Sequence, residues 1–379
     1  MHTNLKYDVA IIGGGLAGLS LAIQCARAGN RTILFEKEKY PFHKVCGEYI
    51  SLENWNFLQE LGIPLSDMQL PIISRILISA PNGKTLESAL PLGGIGISRY
   101  TLDDMLATIA RKEGVTVQEN TKVSDVVFRN GSFVLFTSNG ETEATVVAGS
   151  YGKRSNLDAK WKRQFTQVKP GKLNHYIGIK YHIRIDFPAD LIALHNFEEG
   201  YCGISKIEDG KYCLCYLTTA ANLRKSHNDI AEMEQQILMK NPFLKEIFTQ
   251  AEFLYKEPLT ISRISFNPKT QVENHVLMLG DAAGMITPLC GNGMSMALHG
   301  SKLAFEEIQS FLLGKISRYE MELQYTQQWE RKFSRRLEAG RIIQRFFGSN
   351  ILSGFLLSGV KPFPKFVTWL IRQTHGTPY

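Results

Sequence analysis

Tyr7-Asp8-Val9-Ala10-Ile11-Ile12-Gly13-Gly14-Gly15-Leu16-Ala17-Gly18 leads into a helical pattern that reaches Ala28, stops at Gly29, and resumes as Thr32-Ile33-Leu34-Phe35-Glu36. The order is apolar run, glycine turn, helix, second apolar run, acid. A lone G-x-G-x-x-G string is a weak signal. Between a strand and a helix, with a second strand and an acid behind it, it reads as a dinucleotide-binding unit. Gly13 permits the tight turn, Gly15 lets the backbone approach a pyrophosphate, and Gly18 lets helix and strand pack closely. The helix N-terminus offers unpaired N–H groups and the positive end of its dipole to the phosphates. Glu36, 18 residues past Gly18, is placed to accept hydrogen bonds from a ribose diol. An acid there, in place of an arginine, favours FAD or NAD over NADP.

The 379 residues are enough for two substructures sharing a core, and 44% apolar with 21% charged is ordinary globular composition. The first strand begins within a few residues of Met1, so no secretory leader is expected. Ile351 to Val360 is the nearest approach to a spanning helix, at about half the ~18 apolar residues required. Cys25, Cys46, Cys202, Cys213, Cys215 and Cys290 show no C-x-x-C pair and no disulfide-like spacing, which suits a reducing compartment. The expected location is the cytoplasm, with attachment to the cytoplasmic face of a membrane as the alternative. Of the net charge of +7, an excess of +6 (twelve Lys/Arg, six Asp/Glu) lies from Ser301 onward. One basic helical tail without a nucleic-acid motif points away from nucleic acid. It reads either as a solvated helix face or as a surface for anionic phospholipid.

After Glu36, Pro41 and Gly47 argue for a loop that carries Lys44, Cys46 and Glu48. Leu52 to Leu61 reads as a helix, and Ile72 to Ser79 and Thr85 to Leu90 as strands. Gly93 to Gly96 reads as a flexible approach to a helix capped by Thr101. Short strands follow to Ala148, with Asn130-Gly131 and Asn139-Gly140 as hairpin turns. From about Lys172 to Ile264, alternating segments suggest an antiparallel sheet covered on one face, a natural roof for a ligand pocket. Val276 to Asp281 returns as a buried strand ending on an acid. A glycine-rich loop and a helix opening near Met294 then make a second anion or dipole site. The division expected is 1–170 with 265–315, then 171–264, then a helical region 316–379.

Four stretches carry a resemblance: GGGLAG with Glu36, ISRYTLDDML from Ile97, GSYGKRS from Gly149, and GDAAGMITPLCGNGM from Gly280. The chain resembles the para-hydroxybenzoate hydroxylase superfamily of FAD enzymes, and within it the geranylgeranyl reductase-like branch, over roughly residues 5 to 315. The resemblance implies an α/β fold: a Rossmann-like FAD-binding domain, an antiparallel β-sheet substrate domain and a helical C-terminal tail. It also implies cofactor roles. Gly13, Gly15 and Gly18 would hold the pyrophosphate and Glu36 the adenosine ribose, with Leu16, Ala17 and Lys37 as further cofactor contacts. Arg99 would lie on the phosphate side of the flavin, Val123 would meet the adenine, and Lys44 and Gly152 would be further cofactor contacts. Asp281 would bond the ribityl chain or the adjoining phosphate. Cys46, Gly47, Pro288, Gly291, Asn292, Gly293 and Met294 would line the isoalloxazine. Two departures stand out. Tyr151 takes the place of the usual Asp, and Gly284 that of the His common in the hydroxylases. The latter and Lys44-Val45-Cys46-Gly47-Glu48 look like the reductase branch. That branch's aromatic stretch is not intact at Tyr201 to Lys206, so the substrate does not carry over.

The expected activity is an FAD-dependent oxidoreductase acting on an apolar, isoprenoid- or polyketide-like substrate, with hydride transfer to a C=C bond preferred. The rivals are a flavin monooxygenase using NAD(P)H on an aromatic or polyketide substrate, and a flavin-containing binding protein without turnover. No second nucleotide fold is visible, so NAD(P)H would dock transiently as reductant, or a ferredoxin-like donor would serve. Cys46 is the candidate catalytic residue, because a thiol can steer a substrate or give up a proton near neutral pH. A small polar residue that merely fits beside the ring is the alternative. Cys213 and Cys215 share a strand face and read as core, and His175, His182, His195 and His299 as structural; no metal pattern is seen. In the tail, Tyr325, Trp329, Phe333 and Leu337 recur every four residues among arginines. They read either as packing across the first unit or, with Ile351 to Trp369, as an interface receiving a lipid-like substrate.

Overall fold

The computed structural model describes residues 6–168, 176–286, 291–346 and 376–379. His175, Pro288, Cys290 and the apolar stretch Ile351 to Trp369 lie outside the described residues.

The opening stretch folds as its pattern dictates. Tyr7–Ile12 is a strand, Leu16–Arg27 a helix and Thr32–Phe35 a strand parallel to the first, with Ile12 beside Phe35. Gly140–Gly149 pairs in parallel on the other side, and Val276–Met278 pairs in parallel beyond it. Thr116–Gln118 extends the far edge in parallel. The hairpin Val123–Arg129 and Ser132–Thr137 turns at Asn130-Gly131 and attaches antiparallel to Gly140–Gly149. Val9, Ala10 and Ile11 have no exposed surface, as strands of a sheet covered on both faces should. Helices Arg99–Lys112 and Gly293–Leu312 both pack against Leu16–Arg27.

The second sheet is wider than the stretch 171–264. It contains Tyr176–Arg184, Leu191–Phe197, Gly200–Lys206 and Tyr212–Thr219, paired antiparallel except that Leu191–Phe197 continues in parallel onto Ile72–Ser79. Ile72–Ser79 then pairs with Thr85–Gly96, which pairs with Tyr49–Ser51. Three strands thus come from within residues 1–170, from the chain between Thr32–Phe35 and Thr116–Gln118 of the first sheet. Gly93 to Gly96 is strand rather than flexible approach: a Cβ on Gly94 would strike the Tyr49 ring, and one on Gly96 the Lys206 carbonyl. Ser98, not Thr101, caps the following helix, accepting the Thr101 N–H at 3.1 Å. Leu52–Asn54 is a 3-10 turn before the shorter helix Trp55–Glu60. Asn241-Pro242 ends one helical segment and, with Asn241 as cap and Pro242 in the first turn, starts Pro242–Gln250.

One face of this sheet is apolar throughout, with Ile179, Tyr181, Ile204, Leu214 and Tyr216 packed on Met233, Leu238 and Leu244. The other face, read from strand alternation, divides. Leu194, Tyr201 and Leu217 join Phe266 and Met285 of the first unit. Lys180, His182, Ser205, Cys213 and Cys215 form a polar patch beside them, in register across three strands.

The tail helix Arg318–Phe346 lies across the first unit. Tyr325, Trp329, Phe333 and Leu337 are buried, and the Tyr325 hydroxyl donates to the Met278 carbonyl. No helix among the described residues is long and apolar enough to cross a membrane.

Candidate active site

The glycine turn is shaped by what a side chain would hit. At Gly13, φ is +102° and a Cβ would lie 2.6 Å from the Ser150 carbonyl oxygen. A Cβ on Gly18 would overlap the Gly13 carbonyl and the Ser150 hydroxyl. Gly15 differs: the nearest atoms to its Cβ position are the Arg99 guanidinium at 3.5 Å and the Lys44 ammonium at 3.7 Å. The turn is therefore closed on the strand side and open where two cations gather.

Both cations rest on one buried carboxylate. Asp103 receives Lys44 at 3.0 Å and Arg99 through two bonds at 2.7 and 2.8 Å. Burial alone would raise the Asp103 pKa, but Arg99 and Lys44 outweigh it and hold it below the usual carboxylate range. Two positive charges against one negative leave an excess cation at the N-terminus of Leu16–Arg27. That is the charge balance a bound diphosphate completes.

Glu36 is buried at the end of its strand, accepting the Gly14 N–H at 2.8 Å and the Glu38 N–H at 3.1 Å. Each carboxylate oxygen retains capacity for a further donor. Lys37 points into solvent beside Glu38. Val123 is buried just beyond Thr121, whose N–H bonds the Glu36 carbonyl. Gly152 has φ of +84° and no atom within 4 Å of its Cβ position. The Tyr151 backbone lies against Gly13, while its hydroxyl donates to Asp158 and accepts from Arg163. The acid near this stretch is thus Asp158, already committed to Tyr151 and Arg163.

The two glycine motifs, more than 250 residues apart in sequence, touch. Gly280, at φ +56°, sets its Cβ position 3.5 Å from Ala17 and 3.6 Å from Ala297. Asp281 is then beside the first turn of Leu16–Arg27, its backbone carbonyl held by the buried Lys269 at 2.7 Å. Lys269 also bonds the Lys153 carbonyl, and burial pushes its pKa down to about 8. Gly291 (φ +63°) places its Cβ position 3.3 Å from the Tyr49 ring; Asn292 and Met294 are buried, and Gly293 starts the helix. Tyr49 follows Glu48, so the Cys46 loop and this helix N-terminus are neighbours. Pro288 is not among the described residues. Gly284 has a packing reason of its own: a Cβ there would lie 2.7 Å from the Trp329 indole.

Spacing did not reveal the polar patch. Glu48, fully buried at φ +56°, is ion-paired with Lys180 and accepts from His182 Nε2 at 2.6 Å. A non-glycine residue in the left-handed region costs of order 1 kcal/mol, so other contacts hold it there. His182 Nδ1 meets the Tyr255 hydroxyl at 2.7 Å, and that hydroxyl meets His43 Nε2 at 3.0 Å. Burial, with Lys180 and His182 nearby, lowers the His43 pKa to about 4. His182 therefore links Glu48 to Tyr255 and His43 in one hydrogen-bonded cluster. His195 lies apart from this cluster, bonded to Ser79 and stacked on Phe243. Cys213 is not a bare core thiol, because Glu48, His182 and Cys213 offer ligand atoms within 4.8 Å of one another. The Lys180 ammonium already sits on that carboxylate, and Cys213 donates to the Cys46 carbonyl at 3.2 Å. The group is held together by its own proton donors. The sequence signal for it was faint: Lys180 with His182 and Cys213 with Cys215, polar pairs two apart on otherwise apolar strands.

Residues 6–328 match the family model described as FAD binding domain. The chain is 25% identical to Conditioned medium factor receptor 1 of Dictyostelium discoideum, over 98% of this chain and 79% of that one. It is also 25% identical to Digeranylgeranylglycerophospholipid reductase 2 of Methanothermobacter thermautotrophicus, over 88% of this chain and 86% of that protein. Among solved structures, the flavin-dependent brominase Bmp2 superposes with a TM-score of 0.79 at 20% identity, covering 97% of this chain and 93% of its own.

Proposed function

The chain belongs to the FAD binding domain family and is an FAD-dependent oxidoreductase of the hydroxylase and geranylgeranyl reductase superfamily; from that premise we propose that it reduces a C=C bond in an apolar, isoprenoid- or polyketide-like substrate. The observation that carries this reading is the position of the Cys46 loop. It starts at the Gly15 cation pair and ends against the second sheet, where polar donors stand beside the apolar group Leu194, Tyr201, Leu217 and Met285.

The residues present fit FAD. The open side of Gly15, the Lys44 and Arg99 charges and the helix N-terminus suit its diphosphate. Glu36 suits a ribose, and the Asp281 carboxylate has no hydrogen-bond partner among the described residues. When bound, FAD supplies hydride transfer. The chain supplies the rest. Lys44 and Arg99 neutralise phosphate, and the apolar face excludes water from the substrate. Cys46, partly buried on the loop, would hold the proton that the substrate needs once it has received hydride. With no second nucleotide fold among the described residues, the reductant would be NAD(P)H docking transiently or a ferredoxin-like donor. The substrate partner would reach the protein from a membrane surface met by the basic tail helix.

The test is anaerobic. Protein loaded with FAD and photoreduced should pass electrons to a geranylgeranyl lipid without oxygen, and Cys46→Ala should slow that step while FAD stays bound. Oxygen uptake in step with a hydroxylated aromatic product, and no anaerobic transfer, would favour the monooxygenase reading. Binding of ligands without turnover of either kind would leave only a binding protein.

A further inference from the structure

Lys44 to Gly47 has every carbonyl oxygen taken by a side-chain donor. The Lys180 ammonium donates to Lys44 at 3.1 Å and the Lys153 ammonium to Val45 at 3.2 Å. The Cys213 thiol donates to Cys46 at 3.2 Å, and the Ser205 hydroxyl to Gly47 at 3.4 Å. Glu48 closes the row with its carboxylate on Lys180 and His182 and its Oε1 accepting the Arg99 N–H at 2.8 Å. Gly178 makes room for the approach, since a Cβ there would lie 3.1 Å from the Val45 side chain. A loop of ordinary surface kind gives its carbonyls to water. This one gives them to a sheet.

Three of the four donors stand on one face of the second sheet, where Lys180 is paired in register with Cys215, His182 with Cys213, and Ser205 with Cys213. In a planar trans peptide the C=O of one residue is antiparallel to the N–H of the next. With the carbonyls of Lys44, Cys46 and Gly47 turned to that face, the N–H groups of Val45, Gly47 and Glu48 point away from it. None of the three donates to another group among the described residues.

We propose that Lys180 is a positioning residue: by holding the Lys44 carbonyl and the Glu48 carboxylate together, with Cys213 and Ser205 assisting, it sets the peptide planes of the Lys44–Glu48 loop so that its amides are presented as donors to bound FAD. The proposal rests on the reading that FAD binds along this loop. Lys180 touches neither cofactor nor substrate in this scheme; it acts through the loop. A fully buried lysine whose two acceptors both belong to one five-residue segment has no other evident use. Donor N–H groups aimed at a flavin favour its electron-rich reduced form, so their misalignment lowers the midpoint potential as well as the affinity.

The experiment compares wild type, Lys180→Met and a Cys213→Ala/Ser205→Ala double variant as full chains. Far-UV circular dichroism reads the fold; FAD titration, the visible flavin spectrum and the midpoint potential read the loop. Lys180→Met is expected to weaken FAD about tenfold, the equivalent of one charge-assisted hydrogen bond. It should also shift the visible band and lower the potential. The double variant should move all three in the same direction, less far, and decides the matter if Lys180→Met does not fold. Variants that fold and keep wild-type affinity, spectrum and potential would overturn the role, as would a loss of thermal stability alone. A wild type that takes up no FAD would instead overturn the cofactor reading beneath it.

Discussion

Gly15 and Gly18 lie three residues apart in one motif and do different work. Gly18 touches backbone, so a methyl group there has nowhere to go; Gly15 faces the open cation pair. Gly18→Ala is therefore expected to destabilise the protein by about 1–3 kcal/mol in urea unfolding without any ligand. Gly15→Ala should leave that stability within about 1 kcal/mol while costing at least about tenfold in FAD affinity by titration. Equal effects of the two substitutions would contradict the assignment of the open side. Glu48 is the second residue with a clear signature. Burial raises its pKa, but Lys180 and His182 outweigh burial and hold it below the ordinary value of 4.5. A carboxylate depressed on folding contributes stability that is full above about pH 4.5 and is lost as the pH falls through its folded-state value. Glu48→Gln should thus flatten the acid limb of the stability curve below that pH. At pH 7 it should cost about 3–5 kcal/mol, because Lys180 would be left buried without its partner.

At the scale of elements, the tail helix Arg318–Phe346 has two faces with separable roles. Its apolar stripe is core: Trp329 lies over Gly284, and Phe333 stacks edge-on to it with ring centroids 5.4 Å apart. Trp329→Ala should cost about 3–5 kcal/mol in thermal or urea unfolding. The opposite face exposes Arg331, Lys332 and Arg335. Reversing these three charges should leave stability within about 1 kcal/mol. If this face meets anionic lipid, the same variant should float with anionic vesicles less than wild type does. No flotation of wild type would remove the membrane role and leave the packing role untouched. The helix was legible as a helix from spacing alone; its stripe read as packing or as an interface, and burial against the first unit shows that it packs. Its charged face was legible only as charge.

For the whole molecule, local sequence was enough wherever neighbours in the chain decide the structure. The strand–turn–helix at Tyr7 to Arg27, the hairpin turns and the glycine-opened helix at Gly293 follow from periodicity and from backbone conformations that glycine or asparagine adopt readily. The resemblance built on those stretches reached the family. Three things were decided by folding at long range. One is the recruitment of Tyr49–Ser51, Ile72–Ser79 and Thr85–Gly96 into the second sheet, since strand partnership is a property of two distant segments. Another is the meeting of Gly280 with Ala17, which turned two separate glycine motifs into one cradle. The last is the buried patch of Glu48, Lys180, His182 and Cys213, drawn from three distant parts of the chain. Sequence determined that a dinucleotide would be held, because a turn and a helix end are local objects. Tertiary structure alone decided what stands against the Cys46 loop, because buried charges find partners through space and not along the chain.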